Sequence, residues 1–272
     1  MDVALSRNGA RILRVFFALV VVFLYAPIVI LLIFSFNNSD VPTFPLSGFT
    51  FHWYYEFATN GDLRNALQTS AIVASLSSLV AVALGVLASI ALVRRQFRAK
   101  GPVSALLLSP LVIPLVVFGT SLLLLFHAIG VTLGVTTVII GHIVITLPYT
   151  ILVIMPRLQQ VDVSLEEAAL DLGASRLRTF RSITLPLILP AIVSAFLIAF
   201  TTSFDEYAVA SFVVGSSTTF PIYLYSALRF PNQLPQVIAV AVVVISVSLV
   251  VVIAAEFGRR AAERRLGDAE PS

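Results

Sequence analysis

The sequence contains no cysteine, and only 11% of its 272 residues carry a formal charge. The lack of cysteine excludes disulfide bonds, thiolate metal sites and cysteine nucleophiles. A soluble globular chain usually carries about 25% charged residues, so too few are present here to cover a surface that faces water. Hydrophobic residues make up 58% of the chain, which excludes intrinsic disorder, because disordered chains are poor in apolar residues. The composition therefore predicts a protein that crosses a membrane several times.

Lysine is almost absent, since Lys100 is the only one. A phosphate-binding loop of the type GxxxxGK[ST] needs a glycine before its lysine, whereas Lys100 follows Ala99. Two of the three histidines, His127 and His142, lie on different predicted helices, which favours packing or pore-lining roles over a metal site that would need further ligands. No serine or threonine belongs to a recognisable set of nucleophile, base and orienting group. We therefore expect no catalytic activity from this chain itself.

Long uncharged runs predict the membrane spans. A helix needs about 20 apolar residues to cross a hydrocarbon core about 30 Å thick. The first run is longer than the apolar region of a signal peptide, roughly 7–15 residues, and is interpreted as a retained span. The predicted spans are residues 15–34, 66–93, 102–126, 136–156, 187–206 and 234–256. We predict an all-α polytopic membrane protein with six transmembrane helices in a single transmembrane domain, residues 1–272.

The arginines provide an independent test of this topology, because cytoplasmic loops carry an excess of Arg and Lys. With a cytoplasmic N-terminus, fifteen of the seventeen basic residues lie inside, and only Arg64 and Arg229 lie outside. The uncharged stretch Tyr207–Leu228 is not counted as a span, because a polar, proline-containing break at Gly215–Pro221 interrupts it. Both termini are therefore predicted to be cytoplasmic. The arginines cluster at the ends of spans and do not form one basic face, which also argues against a nucleic-acid partner.

The longest predicted outer segment, residues 37–64, contains the aromatic run Phe49–Tyr55. Tryptophan and tyrosine prefer the interface between membrane and water. The run is therefore interpreted as an interfacial anchor, with a binding role as the alternative.

The longest polar segment on the predicted cytoplasmic side has the local signals of two short helices. Ser164 and Glu167 fit a capping box, with the serine at the N-cap. Gly173 suits the left-handed residue that ends a helix. Ser175 can cap a second short helix, which must stop before Pro186. The segment is therefore predicted to be a helix–turn–helix at the membrane surface.

The same segment carries a longer pattern. Glu167, Ala168 and Ala169 are followed after three residues by Gly173, nine residues later by Ile183, and after one more residue by Leu185 and Pro186. This pattern resembles the EAA motif in the membrane subunits of binding-protein-dependent ABC importers of the type I fold. The resemblance extends over residues 66–257, the core permease domain of that family, and the first span is an addition to it.

In that family the loop with this motif forms a coupling helix that inserts into a separate ATPase subunit. The resemblance implies that residues 157–186 are a cytoplasmic coupling loop and that the motif residues transmit movement during alternating access. It implies that ATP and magnesium bind to two partner ATPase subunits and that this chain binds no cofactor. It further implies a second homologous permease subunit in a heterodimer, an extracytoplasmic substrate-binding protein, and a multi-pass location in the bacterial cytoplasmic (inner) membrane.

Asp205 and Glu206 are the only acidic residues close to the interior of a predicted span. An acidic residue costs about 2.5–3.5 kcal/mol at the bilayer centre on insertion scales, so the pair is a candidate functional site. It is expected near the outer end of the fifth span. Adjacent helical residues diverge by about 100°, so at most one should face a pathway. The pair is either two solvated interfacial carboxylates or a site that attracts a cationic substrate, with Tyr207 or Phe204 offering an aromatic face.

A second resemblance bears on the substrate. The stretches Ser203–Tyr207 and Ala210–Gly215 are similar to spermidine/putrescine importer membrane subunits, and so are Ser35–Asn37, Gly48–Thr50 and Trp53–Tyr54. The resemblance implies polyamine import, with Phe204, Asp205, Glu206 and Tyr207 along the substrate pathway. A permease for another small solute, such as an amino acid derivative or another organic cation, is the first alternative. An ion-coupled secondary transporter and an intramembrane enzyme are weaker alternatives, because the first four spans lack the ionisable residues that such a transporter uses and no catalytic set was found.

Four prolines are candidate sites of helix kinks: Pro110 and Pro114 in the third span, and Pro186 and Pro190 at the start of the fifth. Each removes a helical hydrogen bond, which is tolerated in a membrane where neighbouring groups satisfy the backbone. They either kink helices for packing or permit the rocking motion of alternating access.

Overall fold

The computed structural model describes residues 7–267 of the chain, and this range is almost entirely helical. Its α-helices are α1 (Arg7–Phe34), α2 (His52–Thr59), α3 (Gly61–Arg94), α4 (Lys100–Leu108), α5 (Leu115–Ala128), α6 (Val135–Gln159), α7 (Val163–Asp171), α8 (Arg176–Thr179), α9 (Leu185–Phe204), α10 (Ala208–Val213), α11 (Phe220–Ala227) and α12 (Leu234–Gly267). Between residues 7 and 267, β pairing is limited to an isolated bridge between Asn37 and Phe49. The all-α prediction is confirmed.

Four helices of the described range are long and apolar enough to cross a membrane. They are Arg11–Phe34, Gly61–Arg94, Val135–Gln159 and Arg176–Phe204. The segment Lys100–Leu111 together with α5 also qualifies, but its two parts are bent by 103°. The apolar part of α12 is shorter, Leu234–Val250. By length and composition, residues 7–267 therefore supply four candidate spans, or five when the bent pair is counted as one span.

Residues 61–225 form one compact unit, in which α3, α6 and α9 pack on one another. Val82, Ile154 and Ile188 belong to an apolar cluster that joins these three helices. A second cluster, which includes Val138 and Val209, packs α10 against α6. All five side chains are at most 7% exposed. This framework fixes the place where α9 ends and α10 begins.

The helices α3 and α6 approach closely at Gly85. A Cβ atom at this position would lie 2.8 Å from Thr150 Cβ and closer still to the Thr150 hydroxyl oxygen. Thr150 is fully buried, and its hydroxyl lies 2.7 Å from the carbonyl oxygen of Leu147 and 3.1 Å from that of Ala81. The threonine is therefore held in place, and only glycine fits opposite it. Small residues at such points let membrane helices approach each other.

Replacing Gly85 by alanine is expected to lower the melting temperature of the purified protein in detergent, because overpacking typically costs about 1–3 kcal/mol. The matched control is Gly101→Ala in α4, where an added Cβ would meet open space, and no loss is expected. The double variant Gly85→Ala/Thr150→Gly should lose less stability than the sum of the two single variants. A sum that is simply additive would show that this contact is not the cause.

The second unit consists of residues 1–60 and 226–272, and its described part contains α1, α2 and α12. None of the most apolar 18-residue window of the segment Arg11–Phe34 is buried within the chain. A helix with such a continuous exposed apolar surface is suited to a lipid environment and not to water.

The aromatic run Phe49–Tyr55 in this unit is not a uniform interfacial anchor. Trp53 is only 6% exposed, and its indole N–H donates to the carbonyl oxygen of Asn37 at 2.8 Å. Phe49 and Tyr55 are exposed. The prediction is therefore wrong for the tryptophan, which packs inside the unit because its single donor finds a backbone acceptor there.

Candidate functional site

A cavity of about 490 Å³ lies within residues 61–225, between two interruptions in the helices. On one side it is bounded by the bend that joins α4 to α5, and on the other by the end of α9. Its lining includes Pro110, Ile113, Tyr149, Thr202, Asp205 and Tyr207. The cavity therefore collects residues that are distant in the sequence around the predicted acidic pair.

The bend that forms one wall results from two prolines. Pro110 lies in a 3₁₀ turn, Ser109–Leu111, and Pro114 is the N-cap residue of α5. Proline lacks a backbone N–H and disfavours helical geometry in the residue before it. The helix direction consequently changes by 103° between Leu111 and Leu115. The kink predicted for these prolines is confirmed.

The opposite wall is the short connection between α9 and α10. Asp205 is the C-cap residue of α9, and its side chain is exposed. Glu206, the next residue, is 6% exposed, and its two carboxylate oxygens accept the backbone N–H groups of Val209 at 2.8 Å and Ala210 at 3.0 Å. The two neighbouring carboxylates thus have different surroundings, and only that of Asp205 is accessible.

The charge of the cavity is negative. Asp205 and Glu206 are the charged residues in its lining, which contains no lysine or arginine. A cleft lined by charges of one sign concentrates ions of the opposite sign. The cavity can therefore attract cations. No group of three or more His, Asp and Glu side chains between residues 7 and 267 could hold a metal ion.

Aromatic rings complete the site on one side. Tyr207 lines the cavity, and its ring stacks on that of Tyr225 with 4.1 Å between the ring centroids. The face of a tyrosine ring attracts a cation placed over it. Phe204 is not part of the lining, and its ring lies 5.9 Å from that of Phe200 and 6.0 Å from that of Phe220. The structure thus brings Tyr207 to the cavity beside Asp205 and leaves Phe204 in an aromatic row.

A buried polar network lies behind the cavity wall. His142 in α6 is 1% exposed, and its Nε2 lies 3.2 Å from Glu206 Oε2. Its Nδ1 lies 2.7 Å from the hydroxyl oxygen of Ser203, which in turn lies 2.9 Å from that of Ser77. Sequence reasoning predicted packing or pore-lining for His142 but missed its partners, because they are 61 or more positions away in the chain.

The first helix that lies wholly within the predicted coupling loop, residues 157–186, is α7, and its N-cap differs from the prediction. The N-cap is Asp162, and its carboxylate accepts the backbone N–H of Ser164 at 2.9 Å. The capping box with Ser164 at the N-cap is therefore wrong. Asp162, two positions earlier, is the better N-cap for α7, because a carboxylate also interacts favourably with the helix dipole. The hydrogen bond from Ser164 lowers the pKa of Asp162, so the cap stays charged at neutral pH.

The end of α7 agrees with the prediction. Gly173 has φ +85°, in the left-handed region that favours glycine. Its N–H donates to the carbonyl of Leu170 at 2.9 Å, and the N–H of Ala174 donates to that of Ala169 at 3.0 Å. This pair of bonds is the Schellman motif. Gly173 therefore ends α7 sharply and turns the chain toward α8.

The second short helix was predicted to stop before Pro186, and this prediction is wrong. Ser175 caps α8 by accepting the N–H of Arg178 at 3.3 Å. A π-helical turn, Phe180–Thr184, then continues directly into α9, and Pro186 lies in the first turn of α9. The wider π-helical turn shifts the hydrogen-bond register just where the proline has no N–H to donate. The predicted fifth span therefore extends from the loop as one continuous helix, Arg176–Phe204.

An ion pair that sequence reasoning missed ties α7 to the membrane helices. Arg94 at the end of α3 donates to the carboxylate of Glu166 at 3.0 Å and to the carbonyl oxygen of Val161 at 3.0 Å. The hydroxyl of Thr184 donates to the same carboxylate oxygen at 3.0 Å. Arg94 had been given only a topological role, and its position among the basic residues after the second span was the one available signal.

The motif residues of the loop differ in their exposure. Glu167, Ala168, Gly173 and Pro186 are exposed, whereas Ala169, Ile183 and Leu185 are half-buried. Leu172, between the alanines and the glycine, is 90% exposed. A large apolar side chain that is exposed beside two alanines is typical of a surface that contacts another protein.

The sequence is similar to those of known transport proteins. Residues 81–264 match the family model described as binding-protein-dependent transport system inner membrane component. The chain is 39% identical over 255 residues to the putrescine transport system permease protein PotI of Escherichia coli (strain K12), with 90% of each chain covered. It is 38% identical over 242 residues to the spermidine/putrescine transport system permease protein PotC of the same strain, covering 89% of this chain and 91% of PotC.

Solved structures share the fold at low sequence identity. A chain of a bacterial ABC transporter involved in the import of the acidic polysaccharide alginate has a TM-score of 0.72 and 15% identity, with 93% of this chain and 98% of that chain covered. A chain of the MetNI methionine ABC transporter has a TM-score of 0.57 and 18% identity, with 78% and 99% covered. These similarities show that the arrangement of helices is that of ABC importer permeases.

Proposed function

We propose that this chain, which belongs to the family of binding-protein-dependent transport system inner membrane components, carries polyamines across the membrane. It is a multi-pass, non-catalytic permease subunit of an ABC importer. The observation that supports the substrate is the cavity at the end of α9, whose lining combines an exposed carboxylate, Asp205, with Tyr207 and contains no basic residue. Polyamines are organic cations, and this chemistry suits them.

The relatives support the same substrate class. PotI and PotC, at 39% and 38% identity over about 90% of the chain, are named as permeases for putrescine and for spermidine/putrescine. In the proposed pathway Asp205 pairs with an ammonium group and Tyr207 offers a cation–π contact. The apolar remainder of the lining, such as Ile113 and Leu115, suits the methylene segments between ammonium groups.

The proposed topology has six spans with both termini in the cytoplasm. The five candidate spans and the apolar part of α12 support the number. The distribution of basic residues, fifteen of seventeen on one side of these spans, supports the orientation. The proposed location is the bacterial cytoplasmic membrane, in line with the inner-membrane description of the matching family.

The proposed assembly contains a second permease subunit, two ATP-binding subunits and an extracytoplasmic binding protein. The chain has no phosphate-binding loop around its single lysine, so ATP and magnesium would bind to the partner subunits. The proposed docking helix for an ATP-binding subunit is α7 together with Gly173. Its exposed surface includes Ala168 and Leu172. The ion pair of Arg94 with Glu166 would transmit a displacement of the docking helix to α3.

Purification in mild detergent from native membranes tests the proposal. We expect an ATP-binding chain and a second six-span chain to co-purify. The complex in lipid vesicles, with its binding protein outside and ATP inside, should take up labelled putrescine or spermidine. Transport by this chain alone without ATP would contradict the ABC assignment. ATP-driven uptake of a different solute, with none of either polyamine, would contradict the substrate.

A further inference from the structure

Glu206 lies next to the accessible carboxylate but has a different environment. It lines the cavity, yet it is 6% exposed and both of its oxygens already accept backbone N–H groups of α10. A carboxylate with its acceptors occupied in this way has little left for a passing solute. Burial of a carboxylate costs several kcal/mol unless it is bonded and paired. We therefore expect Glu206 to have a role other than direct contact with substrate.

The partner of Glu206 is an imidazole that is itself fixed. His142 Nε2 lies 3.2 Å from Glu206 Oε2, although the contact is not ideally aligned for a hydrogen bond. Nε2 must carry a hydrogen, because an unprotonated nitrogen would face the carboxylate with a lone pair. Nδ1 lies 2.7 Å from the Ser203 hydroxyl oxygen, which lies 2.9 Å from the Ser77 hydroxyl oxygen.

This chain of contacts connects three helices and the link that follows the third of them. Ser77 belongs to α3, His142 to α6, Ser203 to the last turn of α9, and Glu206 to the connection that starts α10. All four side chains are at most 6% exposed. The side-chain polar atoms of these four residues are hydrogen-bonded except His142 Nε2, which is held at 3.2 Å from the Glu206 carboxylate. Bonded buried polar groups rigidify the segments that they join.

The connection between α9 and α10 is held on both sides of Asp205. Ser203 before it and Glu206 after it belong to the network, so the two residues that flank Phe204 and Asp205 are fixed to α6. We propose that Ser77, His142, Ser203 and Glu206 form a latch, a set of side-chain contacts that holds this connection in place at the cavity wall. The latch fixes the direction of the Asp205 carboxylate toward the cavity. In this role Glu206 and His142 are positioning residues for transport. The expected effect on transport rests on the proposed function, whereas the expected effect on the mobility of the connection does not.

The lack of cysteine makes the latch directly testable. Asp205→Cys introduces the only thiol of this chain, and a nitroxide attached to it reports the mobility of the connection by its EPR line shape in the assembled complex, once any thiols of the partner chains have been replaced. In Glu206→Gln and His142→Phe backgrounds the mobile fraction of this label should rise at least about twofold. Glu206→Gln keeps the size of the side chain but puts an NH₂ group against a donor, so this variant should fold even if His142→Phe does not.

Two controls separate the latch from a general loss of structure. Thr146→Ala removes a buried hydroxyl one turn from His142 that bonds only to the backbone of α6, and it should leave the line shape at position 205 unchanged. A label at Ala99→Cys, an exposed position in the connection between α3 and α4, should not respond to Glu206→Gln. An unchanged line shape at position 205 in both latch variants would overturn the proposal.

Uptake distinguishes the latch from the proposed function. In a chain that retains Asp205, Glu206→Gln should reduce the maximal rate of polyamine uptake about fivefold or more, with the half-saturating concentration of loaded binding protein unchanged. This split is expected because the latch acts inside the pathway and not where the binding protein docks. A mobile label at position 205 together with unchanged uptake would support the latch and contradict the role of Asp205 in transport.

Discussion

Replacing Asp205 by asparagine is expected to reduce polyamine uptake about tenfold or more. Two unit charges 4 Å apart attract each other by about 4 kcal/mol at an effective dielectric constant of about 20, and a loss of about 1.4 kcal/mol already corresponds to a factor of ten. Asp205 is the accessible carboxylate of the cavity, and no basic residue in the lining offsets its charge. The measurement is the initial rate of uptake of labelled putrescine by the complex in vesicles, with saturating binding protein.

The matched control is Asp40→Asn, which removes the same charge from an exposed carboxylate that does not line the cavity. It should leave uptake within about twofold of the unaltered protein, because exposed charges contribute little at a distance in salt. Asp205→Glu keeps the charge and should retain most of the activity. If Asp205→Asn transports as fast as Asp40→Asn, the carboxylate is not part of the pathway.

The second large effect is expected at the proposed docking helix. Ala168→Trp places a large ring on an exposed position of α7 and should block the close approach of an ATP-binding subunit. We expect recovery of that subunit in co-purification to fall about tenfold or more and uptake to be lost. The fold of the chain should survive, because substitutions at exposed positions usually change stability by less than about 0.5 kcal/mol.

Ala99→Trp is the control for this variant. Ala99 is also exposed and lies in the connection between α3 and α4, outside the motif. It should leave both co-purification and uptake unchanged. A complex with Ala168→Trp that keeps its ATP-binding subunit and transports normally would remove the docking assignment from α7.

Much of the fold could be predicted from the sequence because a membrane leaves few alternatives. Backbone groups in hydrocarbon must be satisfied within the segment, so an uncharged run of about 20 residues becomes a helix. Gly173 was correctly assigned to the end of α7, because a left-handed residue after a helix is almost always glycine or asparagine. Its observed φ of +85° agrees.

The errors arose where two local signals compete. Asp162 and Ser164 are both good N-caps, and the choice depends on which backbone the rest of the loop selects. Pro186 was taken as a stop signal, but the π-helical turn Phe180–Thr184 precedes it and lets the helix continue. Such turns have no reliable signature in one sequence, because they are defined by a single shifted hydrogen bond.

The arrangement at the cavity was only partly predictable. The sequence pointed to Asp205 and Glu206 and limited the number that could face a pathway to one. It did not tell which of the two would be accessible, because that depends on how α9 ends. The pairing of Glu206 with His142 was also out of reach, since it joins residues from α6 and the start of α10 that meet only when the helices have packed.

The 103° bend between α4 and α5 has a consequence for the barrier that a charged solute must cross. A straight helix of the 14 residues of α5 is about 21 Å long at 1.5 Å per residue, about 9 Å less than the hydrocarbon thickness. Backbone carbonyls freed within the hydrocarbon persist only next to protein or water. Because the bend borders the cavity, we expect water to reach it. A charged solute at the bend would then have to cross less low-dielectric material than the full thickness of the bilayer.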